Sequence, residues 1–103
     1  MNRGEIWWVE LPEQKRRPYL VITRNAAIPV LNRVLAVPAT STIRNIPTEL
    51  LLGIEDGLTK DCALSFDNIE TIPKWAFVDL ITQLPAHKLD QVCRALALAT
   101  ECE

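Results

Sequence analysis

The chain has 103 residues, of which 49% are hydrophobic and 23% charged, with a net charge of −2. That length fits one domain, residues 1–103, and the apolar-to-charged balance excludes a disordered chain. No apolar run approaches the roughly 20 residues that span a bilayer, and Met1–Glu5 lacks the basic segment and apolar core of a signal peptide, so a cytoplasmic protein with no membrane partner is expected.

Residues Glu5–Glu10 are rich in β-branched and aromatic side chains and predict a first strand. Alternation along it sends Trp7 and Trp8 to opposite faces. At most one of them would face a ligand, and packing in the core or a dimer is the expectation for both. Leu11–Pro18 is a polar loop closed by prolines, and Tyr19–Thr23 is a short apolar run that predicts a buried strand. Pro29 interrupts Ala26–Leu31, which predicts an irregular connection. Arg33–Ala39 is the third strand, and its Pro38 implies an edge position or a strand end.

Thr40–Asn45 is a hydroxyl-rich loop, Thr48–Leu52 a fourth strand stopped by Gly53, and Glu55–Gly57 a turn. Cys62–Phe66 and Asn68–Ile72 predict further short strands, Pro73–Ala76 a turn of helix, and Phe77–Thr82 a returning strand. Pro85 then suits a helix first turn. Leu89, Val92, Cys93, Leu96 and Ala99 or Thr100 recur at helical spacing over about four turns. Many short strands followed by one helix predict a mainly β (α+β) fold, a small antiparallel β-barrel with a C-terminal α-helix packed on it.

Charge is divided unevenly along the chain. Residues 1–48 carry seven basic and three acidic side chains, whereas residues 49–103 carry four basic and ten acidic ones. A basic face suited to a polyanion follows if these halves separate in space. Cys62, Cys93 and Cys102 are odd in number and lack Cys-x-x-Cys spacing, so buried, inert thiols are expected instead of a disulfide framework or a zinc site. His87 is the only histidine, which makes a Ser-His-Asp triad improbable and a two-histidine ribonuclease centre impossible within one chain. Its place at the helix start predicts a surface residue. Glu55, Asp56, Asp61 and Asp67 lie in turn-like segments and form no evident metal cluster, and three glycines are too few for a phosphate cradle. Composition and spacing alone reach a β-rich module whose foremost expected role is nucleic-acid binding.

Five segments, taken in order, go further. They are Arg3–Trp7, Arg17–Ile22, Val37–Thr42, Pro47–Glu49 and Asp61–Ile72. Together with the terminal helix they resemble the MazF/PemK toxin family: a basic residue, Gly, an acidic residue and a strand; then Arg-Pro and an apolar strand; then a strand ending in a threonine-containing loop. The similarity runs over nearly the whole chain. Two features depart from the family pattern. The loop before Arg17 is short and lacks the usual glycine, and Asn68 stands where many relatives have glutamine.

This resemblance implies an SH3-like barrel that works as a homodimer and cuts single-stranded RNA sequence-specifically, with no cofactor and no metal. The RNA's own 2′-hydroxyl would attack, leaving a 2′,3′-cyclic phosphate and a 5′-hydroxyl. Arg17 matches the family's catalytic arginine and Thr40 its catalytic threonine. A guanidinium grips two phosphate oxygens at once, and a hydroxyl donates to a phosphate oxygen or orients the nucleophile. Lys15, Arg16, Ser41, Thr42, Arg44 and Asn68 are the expected RNA-binding residues. A cognate antitoxin with an acidic tail is the expected second partner, drawn by the same basic groove. A gyrase-poisoning toxin of the same fold and a non-catalytic RNA-binding module are the alternatives.

Overall fold

A computed structural model describes residues 1–102. Seven strands run in chain order: β1 Glu5–Val9, β2 Arg17–Val21, β3 Arg33–Thr40, β4 Glu49–Leu52, β5 Cys62–Ser65, β6 Glu70–Pro73 and β7 Phe77–Gln83. They form one antiparallel sheet in the order β4-β5-β3-β2-β1-β7, with β6 pairing to β3 off that path. A single helix, α1 Ala86–Thr100, follows. The mainly β fold with a C-terminal helix expected from the sequence is the one observed. In sheet order β4 and β7 are the end strands.

Alternation along the strands divides the interior in two. Ile6, Leu20, Val37, Leu64 and Phe66 point to one face and pack with Val92 and Ala95 of α1. Val9, Tyr19, Val21, Val34, Ala36 and Ile72 form a second cluster, against which Trp7 and Leu11 pack. The helix thus seals the first face with one apolar stripe, Leu89, Leu96 and Ala99 closing over its margin. Pro85 sits at the N-cap, one position before the first helical residue, where its carbonyl accepts from the Lys88 and Leu89 amides. At the other end Glu101 takes the left-handed conformation and the Cys102 amide bonds back to Ala97, which ends the helix.

Two expectations are corrected. Pro38 lies inside β3, a central strand flanked by β2 on one side and by β5 and β6 on the other. The physical reason is a gap between partners. On the far side, β6 pairs with Arg33–Ala36 and β5 with Ala39 and Thr40, so Val37 and Pro38 face neither. The Ile22 amide donates to the Leu35 carbonyl. Leu35 and Val37 therefore direct their polar groups toward β2, and Pro38 directs its missing N–H into the gap. Among the cysteines, Cys62 is buried, but Cys93 and Cys102 are exposed. The helix buries a narrower stripe than its apolar periodicity suggests, with Val92 and Ala95 at its centre and Cys93 on the flank.

Strand boundaries shift where site residues lie. β2 begins at Arg17 and β3 extends through Thr40, so both residues end strands, whereas the sequence placed Arg17 in the polar loop Leu11–Pro18 and Thr40 in the hydroxyl-rich loop Thr40–Asn45. β6 starts at Glu70 because Phe66–Asn68 forms a 3-10 turn.

Leu64 is fully buried and Leu98 is 56% exposed. Leu64→Ala is expected to lower the unfolding free energy by about 2–5 kcal/mol, and Leu98→Ala by less than about 0.5 kcal/mol. Urea unfolding of the two variants checks this; equal losses would contradict the core assignment.

Candidate functional site

The last residues of β1 and β3 and the first residues of β2 and β5 come together at one end of the sheet, where they line a groove of about 360 Å³. Trp8, Lys15, Arg16, Arg17, Thr40, Ser41, Thr42 and Lys60 all contribute side chains to it. The β2–β3 register sets Tyr19 opposite Pro38 and Leu20 opposite Val37. Projected two residues further, the same register sets Arg17 across from Thr40. Two residues far apart in the chain thereby face each other across neighbouring strands, with no loop needed to bring them together.

Thr40 is half-buried, and its hydroxyl oxygen accepts from the Thr42 amide at 3.1 Å. That bond uses a lone pair and leaves the hydroxyl proton free to donate into the groove. It also fixes the turn that carries Ser41 and Thr42 past the strand end. Arg17 is exposed, and none of the ion pairs found among the described residues involves it. Pro18 holds the backbone extended at this point.

Arg16 is more constrained. Its guanidinium donates to Asp79 Oδ2 at 2.6 Å and stacks over the Trp8 ring at 4.8 Å from the centroid. Both partners of the ion pair are well exposed, so the pair is worth only about 0–1 kcal/mol and a polyanion can compete with Asp79 for the cation. Trp8 is therefore a wall of the groove, which departs from the packing role expected for both tryptophans. Trp7 keeps that role, packed on the second core cluster with its indole N–H donating to Glu5 Oε1 at 3.0 Å. Opposite pleat directions separate the two neighbours.

Six of the eight residues singled out from the sequence line this groove: Lys15, Arg16, Arg17, Thr40, Ser41 and Thr42. Arg44 and Asn68 lie outside its lining. The Arg44 amide donates to Glu49 Oε1 at 3.0 Å, and the Asn68 amide donates to Ser65 Oγ at 2.7 Å. Ser65 ends β5 at the opposite end from Cys62, a strand length of roughly 10 Å away. Trp8, Thr59 and Lys60 are groove residues that the sequence reading did not assign. Lys60 belongs to the acid-rich second half of the chain, so only pairing of β5 with β3 carries its charge to the basic rim.

Cys62 also reaches the groove. Burial, followed by the negative charges of Asp56 and Asp61, pushes its thiol above the ordinary range. His87 is exposed and lies outside the groove lining. Among the described residues no three His, Cys, Asp or Glu side chains are grouped to hold a metal ion, and no helix is long and apolar enough to cross a membrane.

Comparison with known proteins gives consistent results. The family described as "PemK-like, MazF-like toxin of type II toxin-antitoxin system" matches residues 2–100. The chain is 37% identical over 101 residues to the probable endoribonuclease MazF5 of Mycobacterium tuberculosis, covering 97% of this chain and 93% of that protein. It is 38% identical over 103 residues to the probable endoribonuclease MazF2 of the same species, covering 99% and 100% respectively. Among solved structures, the M. tuberculosis toxin MazF-mt6 superposes with a TM-score of 0.86 at 31% identity, covering 94% of this chain and 96% of that one. A mycobacterial endoribonuclease in complex with its cognate antitoxin superposes with a TM-score of 0.87 at 30% identity, covering 100% and 97%.

Behind the groove, Tyr19 is the chain's only tyrosine, and its hydroxyl donates to Glu70 Oε2 at 2.9 Å. Burial, then the bond to Glu70 and its charge, push the phenol up to about 12. A phenol held in its neutral form adds stability that is fully present below about pH 10. That stability is lost as pH rises through about 12. Ultraviolet titration of the native protein is expected to show one tyrosinate transition near 12, moving downward in Glu70→Gln. A native transition near 10 would contradict the burial of the phenol and its bond to Glu70.

Proposed function

The chain belongs to the family of PemK-like and MazF-like toxins of type II toxin–antitoxin systems, and as an endoribonuclease of that family, we propose, it cuts single-stranded RNA in the groove at the end of β2 and β3. The observation that carries this reading is that Arg17 and Thr40, on neighbouring strand ends, both line one basic groove open to solvent.

The chemistry follows from what such a pair does to a phosphodiester. Cleavage by the neighbouring 2′-hydroxyl passes through a phosphorane whose equatorial oxygens gain negative charge. Arg17 presents a planar fork that holds two of those oxygens, and preorganised charge stabilisation of this kind is worth roughly 3–4 kcal/mol. The Thr40 proton, left free by the bond from the Thr42 amide, donates to the same phosphate and fixes its orientation. Arg17 acts as a clamp in this scheme and not as an acid or base, since a guanidinium keeps its charge and offers only donors. As the 2′-oxygen bonds to phosphorus its proton passes to solvent water, the bond from phosphorus to the 5′-oxygen breaks, and water protonates the departing oxygen, so the products are a 2′,3′-cyclic phosphate and a 5′-hydroxyl and no step requires a metal.

Lys15, Arg16 and Lys60 supply further positive charge along the groove and hold flanking phosphates. Arg44 and Asn68 would touch only RNA that extends past the groove, and we assign them outer contacts that bear on sequence preference. The basic rim equally suits the acidic tail of a cognate antitoxin, which would block cleavage by covering the same charges. The working unit in this reading is a homodimer. Val78 and Leu80, both exposed on the end strand β7, give a second copy apolar surface to cover.

Purified protein incubated with a long RNA in excess chelator is expected to cut it, leaving ends that resist ligation until the cyclic phosphate is opened. Arg17→Ala is expected to stay folded and lose at least about a hundredfold in rate, and raising salt is expected to weaken binding steeply. Full activity in that variant would end the assignment of the clamp. A requirement for magnesium would move the chemistry to the carboxylates, and poisoning of gyrase without RNA cleavage would favour a different toxin of the same fold.

A further inference from the structure

Tyr19 does not line the groove in which Arg17 and Thr40 meet. It stands behind Arg17, 4% exposed, two residues along the same strand. Alternation therefore directs both side chains to one face of β2. A smaller cavity of about 240 Å³ is lined by Arg17 and Tyr19 together with Val9, Leu11, Gln14 and Lys15. Arg17 borders both spaces, so its side chain stands on the divide between them.

The phenol is anchored from the other direction. Glu70 begins β6 and pairs with Ala36 of β3, so the bond from the Tyr19 hydroxyl to Glu70 Oε2 reaches from β2 across β3 to a third strand. With its proton committed to the carboxylate, the phenol oxygen has only lone pairs left to offer. The adjacent guanidinium is a donor with no ion pair among the described residues. Burial and Glu70 push the phenol up, and the positive charge of Arg17, which lines the same small cavity, draws it down less strongly.

We propose that Tyr19 and Glu70 are positioning residues for the cleavage reaction: a carboxylate–phenol–guanidinium chain, Glu70 to Tyr19 to Arg17, orients the fork of Arg17 toward the scissile phosphate. Neither residue touches the reacting atoms. Arg17 sits on an exposed strand end, where an arginine side chain otherwise samples many rotamers. A buried acceptor behind it removes part of that freedom, and misplacing such a group by about 1 Å costs up to about a hundredfold in rate. The arrangement also keeps the negative charge of Glu70 one residue removed from the incoming phosphate, with the neutral phenol between them.

The proposal rests on Arg17 being the phosphate clamp, and the test separates the two claims. Single-turnover cleavage and RNA binding are measured for Tyr19→Phe, Glu70→Ala and Glu70→Gln, each also combined with Arg17→Ala. The Arg17 Nε–H resonance is followed by NMR in each protein that retains Arg17. Tyr19→Phe and Glu70→Ala are expected to slow cleavage about tenfold or more with RNA affinity little changed. Glu70→Gln, which keeps an oxygen for the phenol, is expected to recover most of that rate. In the Arg17→Ala background these changes are expected to cost nothing further, because the group they orient is gone. The Arg17 Nε–H signal is expected to move and to show more motion in Tyr19→Phe. A native rate in both Tyr19→Phe and Glu70→Ala, or an equal loss with and without Arg17, overturns the proposal, and so does an unmoved Arg17 signal. If native protein fails to cut RNA, or Arg17→Ala cuts it fully, the clamp reading falls instead, and the NMR signal alone still decides whether Tyr19 orients Arg17. Glu70 is exposed, so its variants keep the test open should Tyr19→Phe fold poorly.

Discussion

Strand β3 must satisfy three neighbours at once, and most of the molecule is arranged around how it does so. Its first half pairs with β6, its end with β5, and its other edge with β2. Val34, Ala36 and Val37 are essentially excluded from solvent, and each buried valine of this kind contributes about 1.5–3 kcal/mol. A slip of one residue in the β2–β3 register would exchange the two faces, moving Val37 from the first cluster to the second and Val34 and Ala36 the other way. Continued two residues past its last pair, the same register sets Arg17 across from Thr40. Core packing and site geometry are therefore one constraint, and the site gains its precision from burial elsewhere along the two strands.

The electrostatics follow from the topology as well. The chain is net acidic, yet one end of its sheet gathers Lys15, Arg16, Arg17 and Lys60. A local concentration of cations in an acidic protein attracts a polyanion to one place while the remaining surface repels it. The surface ion pair at the rim, Arg16 with Asp79, costs little to break, because both groups are hydrated. Trp8 beneath Arg16 offers an apolar face once the cation swings toward phosphate. In the function proposed for this chain, a groove of this character would serve both a nucleic-acid substrate and an acidic inhibitor.

The buried phenol illustrates why strand neighbours matter more than chain neighbours. Tyr19 reads in the sequence as one apolar residue in a run of five. Its hydroxyl acquires meaning only because β6 carries Glu70 to within 2.9 Å, 51 residues later. A buried tyrosine nearly always requires a partner for its hydroxyl, so the need for an acceptor was foreseeable, but its identity was not.

Much of the architecture was legible in local pattern. Alternation marked the strands, proline and glycine marked their ends, and the 3.6-residue period of Leu89, Val92 and Leu96 marked the helix, because each signal is a property of contiguous residues. The Arg-Pro step at Arg17–Pro18 and the strand-ending Thr40 were likewise readable as matches to a family. What pattern could not supply was anything set by long-range pairing. The interior position of Pro38 depends on a gap between β5 and β6, and the groove roles of Trp8 and Lys60 depend on which strand ends converge. The placement of Asn68 and Arg44 beyond the groove depends on the length of β5 and on the bond to Glu49. Residue identity along a strand determines which face a side chain takes, since the backbone period is two. Which partner it meets on that face is decided only when the sheet is assembled, since register is a relation between segments and neither segment contains it alone.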